Sequence, residues 1–342
     1  MNHPAVDPPE ENEVHEAKTV LDRLRQQIGG VIFGQETLID SVITGLVAQG
    51  HLLLEGLPGL GKTELVRTLS KALGLVSNRV QFTPDLLPGD ITGNPMLEEN
   101  DGRRQFVFQR GPIFCNILLA DEINRASPKT QSALLEAMQE RRVTVMGESH
   151  ELPAPFFVLA TQNPIELEGT YPLPEAQLDR FLFKLEVTRN PVEVLERIVD
   201  QRHMGADPVV EQVLSREEAE HLVALARRVY LPPTVGNYIA RLVNATHPGE
   251  SEAASLVKFG ASPRAALALA AASRARALQF GRPNAAIEDV QALAPFVLTH
   301  RILLEYTARI EGVTSRDVVG RLLEEVSTQS KETPKTLESL KV

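Results

Sequence analysis

The chain has one cysteine, no uninterrupted apolar run of the roughly 18 residues that a bilayer span requires, and no excess of positive charge. Each absence removes a class of protein. Cys115 alone can build neither an internal disulfide framework nor a cysteine-based zinc cluster, and its place in an apolar run reads as a buried structural thiol. Without a bilayer-length segment, membrane insertion is not expected. The opening MNHPAVDPPEENEVHEAK is polar and acidic, lacking the basic start and apolar stretch of a secretory leader, so a cytoplasmic protein is expected. A formal net charge of −10 disfavours a non-specific grip on nucleic acid, which needs a basic surface to displace counterions; only a local basic patch stays open.

What is present describes a globular chain. With 342 residues, 43% apolar and 23% charged, about two domains are expected. Residues 1–12, rich in Pro, Glu and Asn, read as a disordered tail. Over 13–28 the apolar Val14, Ala17, Val20, Leu21, Leu24 and Ile28 recur at helical spacing until Gly29-Gly30 stops the pattern, and a second helix runs to about Ala48. Short apolar runs then alternate with helices, the sequence form of an α/β parallel sheet covered on both faces. Five strands are expected at 52–55, 79–83, 117–121, 156–161 and 181–187, with helices at 62–73, 128–141 and around 175–180. The stretch 85–111 is too long for a simple connection.

After Asn190-Pro191 only helices are expected, at about 192–203, 215–229, 233–246, 263–280, 286–298 and 316–326. The expected organisation is an α/β core over 13–190, a smaller all-helical domain over 191–328 and a flexible tail over 329–342.

The strongest motif is Gly56-Leu57-Pro58-Gly59-Leu60-Gly61-Lys62-Thr63, a full match to the phosphate-cradling loop, lying between an apolar strand and an amphipathic helix. Three glycines let backbone N–H groups curl around phosphate oxygens at the positive end of a helix dipole. Lys62 is expected to reach the β and γ phosphates, the Thr63 hydroxyl to hold Mg²⁺, and Glu64 to lie beside them. A second half-site stands at Ile117-Leu118-Leu119-Ala120-Asp121-Glu122, where a buried strand ends in two carboxylates. There Asp121 can hold the metal's water shell and Glu122 can polarise an attacking water. Asn163, after the apolar run 156–161, sits at the carboxyl edge of a sheet and could orient that water; an Asn before a Pro is also an ordinary turn residue.

With these residues assembled, the chain resembles the AAA+ ATPases and, more narrowly, the MoxR family. The narrower likeness rests on the run Leu119 to Ala126, on Ala160 to Pro164, and above all on Tyr171-Pro172-Leu173-Pro174-Glu175-Ala176-Gln177-Leu178-Asp179-Arg180-Phe181. What the resemblance implies is a P-loop NTPase core followed by a helical lid, with ATP at the subunit interfaces of a hexameric ring. It makes Lys62 and Thr63 the Walker A residues, Asp121 and Glu122 the Walker B pair, Asn163 sensor 1 and Arg180 an arginine finger, the alternative for Arg180 being a surface salt bridge with Asp179 or a neighbour. Gly260-Ala261-Ser262-Pro263-Arg264-Ala265 resembles a sensor-2 motif, with Arg264 on its own or a neighbour's nucleotide, or simply in solvent. The segments 85–111 and 143–152 resemble a helix-2 insert and a pre-sensor-1 hairpin, the latter turning at Gly147-Glu148-Ser149. The resemblance further implies ATP-driven remodelling or activation of partner proteins, often of the von Willebrand factor A type. A nucleic-acid-dependent motor and a low-turnover nucleotide-driven scaffold are the competing readings.

Overall fold

A computed structural model of the chain describes residues 7–56, 59–100, 103–163, 169–202 and 208–329. Helices α1 (Glu11–Gly29) and α2 (Glu36–Val47) precede β1 (Leu52–Glu55), α3 (Lys62–Ala72) and β2 (Ser77–Gln81). A short α4 (Pro88–Thr92) leads into a hairpin of β3 (Gly93–Asn100) and β4 (Arg103–Arg110). Next come β5 (Ile117–Asp121), α5 (Pro128–Glu140), a second hairpin of β6 (Arg142–Val145) and β7 (Glu148–Glu151), β8 (Phe157–Gln162), α6 (Glu175–Leu178) and β9 (Phe183–Glu186). The remainder holds α7 (Val192–Gln201), α8 (Arg216–Arg228), α9 (Pro233–Asn244), β10 (Val257–Phe259), α10 (Pro263–Gln279), α11 (Ile287–Leu298), β11 (Leu303–Leu304), α12 (Tyr306–Ile310) and α13 (Ser315–Glu325).

Five strands form one parallel sheet in the order β2-β5-β8-β1-β9. Because side chains alternate across a strand, Leu52 and Leu54 join a core with α1, α2 and α3, while Leu53 points into a second core with Leu134, Leu135 and Met138 of α5. The first core continues without a break into α8, α9, α10, α11 and α13. All five β strands were expected, and a parallel sheet with helices on both faces is what the apolar runs encode.

The differences have local causes. The tail expected over 1–12 is ordered from residue 7: the Arg228 guanidinium donates to the carbonyls of Asp7 (3.2 Å) and Pro8 (3.4 Å) and to the Glu13 carboxylate (2.7 Å), and α1 begins at Glu11. Residues 1–6, and the flexible tail beyond 329, lie outside the described residues. The last sheet strand starts at 183 rather than 181, since the carbonyls of Phe181 and Leu182 accept from Arg301 (2.6 and 3.2 Å). The insert 85–111 is a helical turn plus a hairpin, and β10 pairs with β11 where helices alone were expected. The second hairpin turns at Met146-Gly147, both at positive φ (53° and 84°), which the right-handed twist of the strands favours in a two-residue turn. Glu148 and Ser149 are therefore strand residues. Among the described residues no helix is long and apolar enough to cross a membrane.

Candidate nucleotide site

The cradle forms where β1 stops. Gly56 donates its N–H to the Gln162 carbonyl (3.2 Å), and a Cβ there would sit 2.7 Å from the Val187 carbonyl oxygen, so β9 can close over it only because no side chain is present. Gly59 and Gly61 take positive φ (82° and 84°), conformations open to glycine at little cost. Gly61 is the N-cap of α3 and supplies no side-chain acceptor, leaving the first N–H groups of that helix aimed outward. The Lys62 ammonium folds back onto the Gly56 carbonyl at 2.5 Å. Its pKa is lowered by burial, against the opposing pull of Asp121, Glu122 and Glu55. Pro58, expected in this loop, lies outside the described residues, as does Leu57.

Across from the loop, β5 delivers the two carboxylates. Thr161 of β8 ties them together, its hydroxyl donating to Asp121 Oδ1 (2.6 Å) and accepting from the Glu122 N–H (2.8 Å). Glu122 takes φ +57°, a left-handed conformation that costs a non-glycine residue about 1 kcal/mol or more and turns its side chain off the strand axis. Two residues of β2 that share a face meet the pair: Arg79 Nη2 donates to Asp121 Oδ2 (2.7 Å) and Gln81 Nε2 to Glu122 Oε2 (2.8 Å). Arg125 adds a contact to Glu122 at 3.0 Å. Neither carboxylate stands bare, as partial burial requires. Arg79, Gln81 and Thr161 were not foreseen; polar residues alternating within an expected strand, at 79 and 81, were the signal.

Gly56, Gly59, Gly61, Lys62, Thr63, Glu64, Asp121, Glu122 and Asn163 thus surround one cavity of about 400 Å³ at the carboxyl edge of the sheet. Asn163 is buried there, and Glu64 carries a buried Oε1 without a hydrogen-bond partner. Leu60 lines an adjoining cavity of about 580 Å³ that shares Gly59, Gly61 and Glu64 and is walled by Val31, Ile32 and Phe33. Together they set a lining rich in charged and polar groups beside a more apolar one.

Arg180 and Arg264 lie elsewhere. Both line a cavity of about 400 Å³ with His51 and Leu182, residues just before β1 and β9, at the opposite edge of the sheet. Arg180 Nη1 donates to the Leu135 carbonyl (2.9 Å), and its Nε is buried without a partner. The salt bridge considered for Arg180 is not formed, because Asp179 is taken by the buried Arg301 (2.8 Å) and by the Ser262 hydroxyl (3.0 Å). Arg264, 3.8 Å from Asp179, is half exposed and lines this cavity rather than the one that holds Lys62 and Asp121. Helix α10, which packs on α1 and α2, carries Arg264 in its first turn.

Comparison with known proteins agrees with this layout. The family model described as "ATPase family associated with various cellular activities (AAA)" matches residues 51–183, and that of the AAA lid domain matches 249–322. The chain is 43% identical to Chaperone MoxR1 of Mycobacterium tuberculosis over 92% of its own length and 83% of the relative's. It is 32% identical to Protein MoxR of Methylorubrum extorquens over 83% and 87% of the two lengths. A 2.00 Å crystal structure from Cytophaga hutchinsonii superposes with a TM-score of 0.86 at 39% identity, covering 94% of this chain and 98% of that one. Likeness of this degree, sustained from the cradle through the lid, is that of family membership: the chain is an AAA+ ATPase of the MoxR chaperone family.

Proposed function

We propose that ATP lies with its triphosphate across Gly59–Thr63 and its base against Ile32, Phe33 and Leu60, and that hydrolysis there drives the remodelling or activation of partner proteins. Lys62 exchanges the Gly56 carbonyl for β and γ phosphate oxygens. Glu122 accepts the proton of the attacking water while Asn163 orients that water, and ADP leaves as the new P–O bond forms. Mg²⁺ suits the chemistry of the donor set: the Thr63 hydroxyl and the Asp121 carboxylate are hard oxygen donors, few enough that phosphate oxygens and water would complete the shell this ion prefers. When bound, it neutralises charge on the β and γ oxygens. Among the described residues there is no cluster of three or more His, Cys, Asp or Glu that would suit a more fully caged metal.

The observation that carries this reading is the convergence of Lys62, Thr63, Asp121, Glu122 and Asn163 on one cavity, with Arg180 and Arg264 on the other side of the same sheet. Two faces of one chain hold complementary halves of a site, so copies arranged head to tail, as in a closed hexameric ring, join them. In that arrangement Arg180 is the arginine finger and Arg264 a second cation on the adjoining copy's triphosphate. Residues 13–190 act as the nucleotide-binding core and 191–328 as the lid, with the hairpins at 93–110 and 142–151 facing partner proteins of the von Willebrand factor A type. Replacing Glu122 with Gln tests the assigned base. Turnover should fall by about 10²–10⁴ while ATP stays bound, and undiminished turnover would remove Glu122 from the chemistry.

A further inference from the structure

We propose that Arg141 is a third arginine delivered to the adjoining copy's triphosphate, beside Arg180 and Arg264. The inference depends on reading that edge as the face that completes a neighbour's site.

Arg141 is the C-cap of α5, held at φ +53°, and it lines the same cavity as Arg180 and Arg264. Its Nη1 donates to Gln49 Oε1 at 3.0 Å, and Arg227 donates to that same oxygen. Two guanidiniums therefore share one neutral acceptor, and among the described residues neither has a carboxylate within ion-pair distance. Among the described residues the only carboxylate lining the cavity is Asp179, already bound by Arg301. Arg141, Arg180 and Arg264 thus surround a space with no unspent negative charge in it. Burial and the neighbouring Arg227 both lower the Arg141 pKa, so the isolated chain holds this cation at a cost that an incoming anion would relieve.

The ordinary explanation is a helix-end contact, but Arg141 Nη2 lies 3.5 Å from the Gln49 carbonyl, at the limit of a hydrogen bond. A planar fork of donors beside two others suits the oxygens of a phosphate chain better than a single carbonyl.

Complementation between inactive chains tests the assignment. Arg141→Gln keeps a hydrogen-bonding side chain for Gln49 and removes only the charge; it should melt with the wild-type protein yet turn over ATP about ten- to a hundredfold more slowly, the range expected for one charge-assisted hydrogen bond. Placed in the Glu122→Gln background, it should weaken binding of a fluorescent ATP analogue about tenfold. Mixing Arg141→Gln with Glu122→Gln chains should restore turnover well above either parent, since some interfaces then pair an intact carboxylate with an intact arginine. The same mixture made with Arg180→Ala is the control for the interface itself. Rescue with Arg180→Ala but not with Arg141→Gln, or full turnover by Arg141→Gln alone, would overturn the role of Arg141 and leave the interface standing. Failure of both mixtures would overturn the interface reading and this inference with it.

Discussion

His51 shows how far one side chain can be committed by its surroundings. The ring is buried between β1 and β8, where Nδ1 accepts from the Val158 N–H (3.1 Å), so the proton sits on Nε2 and is donated to the Met138 carbonyl (3.0 Å). Burial, with Arg141 nearby, pushes its pKa down from 6.5 to about 4. The folded chain therefore refuses a proton that the unfolded chain accepts below pH 6.5, and stability is lost as pH falls from 6.5 towards 4. At about 1.4 kcal/mol per unit the loss is on the order of 3 kcal/mol. His300, also buried, is shifted in the same direction. Thermal melts across that window should slope steeply in the wild type and less so in His51→Gln, which starts less stable; an equal slope in both would acquit His51. The residues of the cradle were legible in the sequence because glycine, lysine and carboxylate chemistry is carried by local spacing. Thr161, Arg79 and Gln81 were not, because their part depends on β2 and β8 flanking β5, which spacing does not reveal.

Among the elements, the two hairpins stand apart from the sheet and lean on each other. Phe108 of β4 stacks on His150 of β7 with ring centroids 4.3 Å apart and meets Phe114 edge-on at 5.7 Å. The first hairpin leaves Met96, Leu97 and Phe106 more than half exposed. Side chains left more than half exposed contribute little to stability, so changing these three to Ser should alter folding free energy by no more than about 0.5 kcal/mol each and leave basal turnover intact. Measured by melting and by steady-state hydrolysis, a large loss of either would show that the hairpin supports the core. The sequence showed that 85–111 was an insertion without showing its form, although Asp101-Gly102 between two strand-like runs was a usable hairpin signal. Strand 181–187 was overextended for a different reason: nothing local announces that Arg301, more than a hundred residues later, claims its first carbonyls.

At the scale of the whole molecule, the division at residue 190 separates two kinds of chain but not two cores. Tyr238, Leu269 and Val290 belong to the same apolar cluster as Leu24, Leu54 and Leu69, so α8 to α11 and α13 share one core with α1, α2 and α3. That continuity holds Arg264 on the cavity that Arg180 also lines. The arginines could be picked out from motifs, whereas the edge they occupy follows from strand order and from the packing of α10. The central claim is that one chain's cradle and another chain's arginines make a single catalytic site. Its most direct measurement is ATP turnover by a mixture of Arg180→Ala and Glu122→Gln chains, each nearly inactive alone. Turnover far above the sum of the two is the predicted result; a mixture no faster than that sum would contradict the account.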